Sequence, residues 1–162
     1  MNIADIKNEI INLVETNSKE CIDPMINRKD FGVNVQKKGR KEDNSLPSNS
    51  VAVYIFFYGN ECLKIVQVMK NSNSRFQYQH YLPNSNGSTL AKSIINDYSM
   101  NSFANESNIK EWLKTNTDRL DVIIKSRGDK HLDKIVLNFV ESLLQYRFKP
   151  RYEKWLIQIY IK

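Results

Sequence analysis

Val51-Ala52-Val53-Tyr54-Ile55-Phe56-Phe57-Tyr58 is followed by Gly59-Asn60 and then by Glu61-Cys62-Leu63-Lys64-Ile65-Val66-Gln67-Val68. The first run is β-branched and aromatic, the composition of a buried strand. Gly59-Asn60 is a tight turn in which Gly59 supplies the positive φ that hairpin turns need. The second run alternates, with Leu63, Ile65 and Gln67 expected on one face. Together the pieces predict an antiparallel β-hairpin, from which the rest of the chain is read outward.

Downstream, residues 71–80 are polar but carry aromatics at Phe76 and Tyr78, with Tyr81 just beyond. Pro83-Asn84-Ser85-Asn86-Gly87 is a loop. Ser88 then caps a helix over residues 89–97 that buries Leu90, Ile94 and Ile95. A second helix covers residues 108–114 through Ile109, Trp112 and Leu113. Residues 119–125 read as a third strand. The last helix, residues 132–148, carries an apolar stripe of Ile135, Val136, Phe139, Leu143, Leu144 and Phe148, and Pro150 ends it. The apolar tail, residues 155–161, fits an edge strand and a short helix equally well.

Upstream, Ile3, Ile6, Ile10, Leu13 and Val14 recur at helical spacing, so residues 3–16 form an amphipathic helix. Residues 19–49 are polar, and the end of this stretch, from Gln36 to Asn49, reads as a loop or linker. Its basic cluster, Lys37, Lys38, Arg40 and Lys41, is either a solvated charge run or a track for a phosphate backbone. The expected fold is α/β (α+β), a small, mainly antiparallel three-stranded sheet flanked by helices. Residues 1–50 form an N-terminal helix and polar linker, 51–153 the central domain and 154–162 an apolar extension.

The bulk numbers fit this layout. The chain has 162 residues, enough for one domain. Its net charge is +6 and its pI about 9.2, a basic excess suited to a phosphate-rich partner. The mean hydropathy of -0.53 and the lack of any apolar run near the roughly 20 residues of a membrane helix give no expectation of a membrane partner. Met1-Asn2-Ile3-Ala4-Asp5 lacks the basic start and apolar stretch of a signal peptide. The 2 cysteines, Cys21 and Cys62, make no disulfide framework or zinc spacing, so a reducing cytoplasm is the expected setting.

Chemistry enters at three places. Glu141 lies inside the last helix among Phe139, Val140, Leu143 and Leu144, with Asn138 and Gln145 rather than a cation one turn away. Such a carboxylate is costly unless it faces water, pairs with a cation or binds a metal. Arg75 has the planar fork that suits phosphate, and His80 is a residue type that serves as a general base near neutral pH.

The order of these features resembles the GIY-YIG nuclease superfamily. Ala52-Val53-Tyr54 stands where that family has Gly-Ile-Tyr, and Lys64-Ile65-Val66 where it has Tyr-Ile-Gly. Arg75 matches the helix arginine and Glu141 the metal-binding glutamate. Lys149-Pro150-Arg151-Tyr152 is similar to a Lys-Pro-x-Tyr turn, with Glu153 where many members carry asparagine. Residues 63–68 and 71–85 also resemble a bacterial subgroup. The resemblance implies metal-assisted phosphodiester hydrolysis on DNA or RNA. Glu141 would hold one Mg²⁺ or Mn²⁺, Tyr54 or His80 would help activate water, Arg75 would hold the scissile phosphate, and Lys64 would face phosphate. Cutting both strands would favour a homodimer or two sequential nicks. The second motif departs from the family: its glycine is Val66, and the subgroup's next lysine and alanine are Gln67 and Val68. Either the site tolerates these changes, or the chain is a catalytically inactive nucleic-acid-binding or protein-interaction module.

Overall fold

The computed structural model describes residues 2–20, 26–85, 89–100 and 102–153. In chain order the elements are α1 (Ile3–Lys19), β1 (Phe31–Gln36), β2 (Ser50–Tyr58), β3 (Glu61–Val68), α2 (Asn73–Gln77), α3 (Leu90–Ile95), α4 (Ile109–Asn116), β4 (Asp118–Lys125) and α5 (Lys130–Phe148). Two short 3-10 turns, Arg28–Asp30 and Gln79–Tyr81, lie between them. Cys21, Ser88 and the apolar tail from Lys154 onward lie outside the described residues.

The sheet has four antiparallel strands in the order β1-β4-β2-β3, not the expected three. The added strand comes from the stretch read as linker. Within β1 the buried Phe31 and Val33 alternate with Gly32 and Asn34, and Val33 pairs with Val122 of β4. So short an alternation, set among charges, carries little periodic signal, and pairing with β4 supplies what propensity does not. The central strand is β2, which accounts for its unbroken apolar run. Val51, Val53, Ile55 and Phe57 point to one face, and Ala52, Tyr54 and Phe56 to the other.

The predicted hairpin is present, with Gly59 at φ 59° in its turn. Its facing needs one correction. Ile55 pairs with Ile65 and Phe56 with Lys64, but Phe57 pairs with Cys62, so Leu63 is an extra residue in a bulge. The bulge turns Leu63 onto the face of Tyr54 and Phe56, while Ile65 stays on the opposite face. Strict alternation from the turn therefore misplaces Leu63.

One face of the sheet is covered by α1 and α5. Ile6, Ile10 and Val14 meet Val136, Leu137, Val140 and Leu144 over Val53, Ile55 and Val122. The other face is covered by α2, the Gln79–Tyr81 turn, α3 and α4. Thr89, not Ser88, caps α3, its side chain accepting from the Lys92 amide at 3.1 Å. The last helix starts earlier than expected because Asp129 caps it through the His131 and Leu132 amides. It ends at Lys149 in the left-handed region, ahead of Pro150.

The second face carries a charge network beneath its aromatics. Arg119, 0% exposed, lies between the rings of Tyr54 and Phe76, its guanidinium carbon 4.3 Å and 4.2 Å from their centroids. Its Nε donates to Asp121 at 2.6 Å and its Nη1 to the Phe76 carbonyl at 2.7 Å. Asp43 lies 3.5 Å from Nη1 and accepts from Arg40 Nε at 2.7 Å. Arg40 also donates to the Thr117 carbonyl and to Tyr81 Oη, and Gln36 donates to Asp121. Part of the basic stretch is thus an anchored loop, and Arg40 is neither solvated nor open to phosphate.

Removing one partner from a buried ion network leaves the others desolvated and unpaired. Arg119→Ala should lower unfolding stability by about 3–5 kcal/mol in urea titrations, while Lys110→Ala at an exposed position of α4 should change it by less than about 0.5 kcal/mol. Equal small effects would show that the network does not support the fold.

Candidate functional site

β3 is one of the sheet's two edge strands, and the candidate residues lie near it. Its outer edge is partly covered by the segment that follows α5. The Arg151 amide donates to the Cys62 carbonyl and the Tyr152 amide to the Leu63 carbonyl, both at 3.0 Å. The Glu153 carboxylate accepts from the Ile65 amide at 3.3 Å, and Lys64 Nζ donates to the Tyr152 carbonyl at 3.2 Å. Arg151 holds this segment from outside through Glu61 and Asp97, and Tyr152 Oη donates to Asp97 at 2.8 Å.

Pleating sends Ile65 and Gln67 toward α5 and Lys64, Val66 and Val68 toward the second face. Gln67 consequently meets three residues on one side of α5. Its Nε2 donates to Glu141 at 2.5 Å and to Asn138 at 3.2 Å, and its Oε1 accepts from Lys134 Nζ at 2.8 Å. These contacts fix the amide orientation, because only the oxygen can accept from the lysine. Glu141 is half-buried. Burial raises its pKa above the usual carboxylate range, partly offset by Gln67 and by the charges of Lys134 and Arg75. Its partner among cations, Lys134, lies two helical turns away, beyond the one-turn spacing at which helical ion pairs form.

Arg75 projects from α2 and is exposed. Its guanidinium makes no hydrogen bond or salt bridge among the described residues. Its backbone, by contrast, is held from below. Tyr54 Oη donates to the Arg75 carbonyl at 3.1 Å, Arg119 donates to the next carbonyl, Phe76, and the Phe76 ring is 1% exposed. A five-residue helix has little stability of its own, so these buried contacts place Arg75.

The five candidates therefore divide. Arg75 and Glu141 lie around the β3 edge, whereas Lys64, expected to face phosphate, is 6% exposed, points to the second face and donates to the Tyr152 carbonyl. Tyr54 and His80 lie beneath, in the second-face core. Tyr54 is 0% exposed, and burial, partly offset by Arg119 and Arg75, drives its pKa well above the ordinary phenol value. His80 packs edge-on against Tyr54 at 5.6 Å, and its Nδ1 has no partner among the described residues. Burial, then Lys64, Arg75 and Arg119, pushes its pKa down to about 3. His131 is exposed.

Val66 bears on whether the altered second motif blocks the site. It pairs with Tyr54 and packs into the second-face core, so the residue that faces Glu141 is Gln67 and not a valine. Glu153 is a further carboxylate at this edge. Burial raises its pKa, as does the charge of Glu141, against the opposing pull of Lys64 and the Ile65 amide. Among the described residues no three His, Cys, Asp or Glu side chains group closely enough to hold a metal ion between them. The fit of a hard cation rests instead on Glu141. Its Oε2 accepts from the Gln67 side-chain amide and the carboxylate also takes the Gln67 backbone amide, bonds to neutral donors that leave it lone pairs to serve as a single ligand with water completing the shell.

Among family models, curated proteins and solved structures, the chain matches none. No helix among the described residues is long and apolar enough to cross a membrane.

The state of His80 has a measurable consequence. Between its folded pKa of about 3 and its ordinary value of 6.5, the unfolded chain binds a proton there that the folded chain does not. Stability linked to His80 should fall as pH drops through that window, by on the order of a few kcal/mol in all. His80→Phe keeps an aromatic ring and should flatten this acid limb in urea titrations at several pH values. Glu141 and Glu153, whose raised pKa values act with the opposite sign above 4.5, are present in both proteins. An unchanged limb would place the acid sensitivity elsewhere.

Proposed function

We propose that the chain is a metal-dependent DNA endonuclease of the GIY-YIG type. The observation that carries this reading is the pairing across the β3 edge of an open guanidinium with a half-buried carboxylate. Arg75 lies close enough to lower the pKa of Glu141, yet no group among the described residues occupies the arginine. The order of Ala52-Val53-Tyr54, Lys64-Ile65-Val66, Arg75, Glu141 and Lys149-Pro150-Arg151-Tyr152 supports the same reading.

In this proposal Glu141 holds one Mg²⁺ or Mn²⁺, which supplies Lewis acidity and an activated water when bound. Arg75 grips two non-bridging oxygens of the scissile phosphate and offsets the charge that develops there. Lys64 adds positive potential from the strand. Gln67 orients Glu141, and Lys134 fixes the amide of Gln67. Tyr54 and His80 act as positioning residues, since both are buried and the Tyr54 hydroxyl is engaged by the Arg75 carbonyl. Glu153, with its raised pKa, is the group suited to accept the proton of the attacking water. The alternative, a binding module without cleavage, would arise if Val66 or Val68 plugged the cleft; both pack into the core beneath α2, on the side away from Glu141.

The test is plasmid nicking at low salt with Mg²⁺ and, separately, Mn²⁺. Wild-type protein should nick supercoiled DNA only with metal, and Glu141→Ala should abolish nicking. Arg75→Ala should slow it by about 10²–10³-fold, a loss of the size seen when a transition-state donor is removed, and Arg75→Lys should recover little because it lacks the planar fork. Nicked circles that precede linear product would indicate two successive cuts, and direct linearisation a dimer. Nicking that persists in Glu141→Ala, or binding without cleavage on both plasmid and genomic DNA, would overturn the enzyme reading.

A further inference from the structure

Beyond the β3 edge the chain crosses itself, Met69 leaving β3 beside the loop that enters α5. Between them lies a groove of about 710 Å³ lined by Met69, Asp129, Lys130, His131 and Lys134. A second hollow of about 300 Å³ shares Met69 and Lys130 with it and reaches Lys70. Lys70, Lys130, His131 and Lys134 are all exposed. Of the groove's two acids, Asp133 is buried, whereas Asp129 is exposed and keeps its charge while capping α5. Asp129 accepts from the His131 and Leu132 amides. Asp133, 3% exposed, accepts from Ser126 Oγ at 2.6 Å and the Arg127 amide at 2.7 Å. Three exposed lysines, Lys70, Lys130 and Lys134, against the single exposed carboxylate of Asp129 leave the face presented to solvent net cationic.

The groove also has a direction. Lys134 Nζ donates to Gln67, and Gln67 donates to Glu141, so the lysines run without interruption into the proposed cleavage site. We propose that this groove holds the sugar-phosphate backbone of the DNA strand flanking the scissile phosphate, an inference that rests on the endonuclease reading. Lysines act there as flexible point charges without base readout, so the grip is sequence-independent and salt-sensitive.

The test uses full-length protein in EDTA, where no metal-dependent cleavage intervenes, and a fluorescent duplex of about 20 bp, long enough to span the groove at about 3.4 Å per base pair. Anisotropy is read across a range of KCl. Lys70→Gln/Lys130→Gln, with thermal unfolding checked against wild type, should make the slope of log K against log salt shallower by about 2, close to 0.9 for each phosphate that is no longer neutralised. The control pair Lys7→Gln/Lys110→Gln, on α1 and α4, should leave the slope unchanged. An unchanged slope in the groove variant, an equally shallow slope in the control pair, or a change confined to an RNA duplex of the same sequence would each overturn the proposal. The two readings fail separately. Metal-dependent nicking abolished in Glu141→Ala with an unchanged groove slope removes only the groove, whereas a shallower slope beside nicking that ignores Glu141 removes the cleavage reading and leaves a backbone-binding surface.

Discussion

A guanidinium buried between two aromatic rings has to be neutralised and hydrogen-bonded, and in this chain that requirement organises half the molecule. Arg119 cannot shed its proton, and at 0% exposure it cannot be hydrated from bulk water. Its partners come from four separate stretches. Asp121 is two residues along the same strand, the Phe76 carbonyl belongs to α2, Asp43 to the loop after β1, and Tyr54 to the central strand. Gln36 and Arg40 tie the next layer to those acids. Neutralising one charge therefore fixes the edge strand β1, the basic loop and the short helix together, with Arg119 Nη2 and Asp43 Oδ2 buried without a hydrogen-bond partner among the described residues.

That constraint reaches the candidate site through α2. Tyr54 and Arg119 bind consecutive carbonyls, those of Arg75 and Phe76, from inside the core. A helix of 5 residues anchored by its carbonyls presents its polar side chain outward with little freedom in the backbone. The other half of the site is held by different means. Glu141 belongs to α5, whose Val136, Leu137, Val140 and Leu144 are locked against the opposite face of the sheet. The site thus spans an edge strand between two separately packed layers, and β3 is the element that joins its halves. An edge strand also exposes backbone groups that invite pairing with other chains, and here Arg151, Tyr152 and Glu153 bind the backbone of Cys62, Leu63 and Ile65.

What the sequence makes legible follows the length of each signal. The hairpin, β4 and the helices carried by long apolar periods are readable, because burial of many residues enforces one pattern. β1 is hidden because six residues bounded by charges give too short an alternation, and its place is set by pairing with β4. Leu63 is misplaced because a bulge breaks the period of two without leaving a mark in composition. Arg75 and Glu141 are legible as residues, but not the facts that decide their chemistry. Nothing in the run around Tyr54 tells that its hydroxyl meets the Arg75 carbonyl, and His80 gives no sign that three cations surround it. Arg119 and Asp121 sit two apart in a strand, hence on one face. That spacing is the available signal for the network, although its partners are 43 and 85 residues away for the Phe76 and Gln36 bonds.

Gln67 shows why a change that looks like loss in sequence need not be one in space. A lysine at that position would place its ammonium against Glu141, lower the carboxylate pKa and hold both oxygens in an ion pair. Glutamine gives one neutral donor to one oxygen and turns its own oxygen to Lys134. The positive charge stays in the neighbourhood, displaced by the length of an amide, where it lowers the Glu141 pKa without occupying the carboxylate. Burial meanwhile raises that pKa, so the carboxylate is more basic than a salt-bridged one. A basic carboxylate held by neutral amide donors suits a hard cation better than one neutralised by lysine. By the same reasoning the change at Val66 concerns packing against Tyr54, whereas the change at Gln67 concerns charge, and only the second lies on the side of the strand where Glu141 is held.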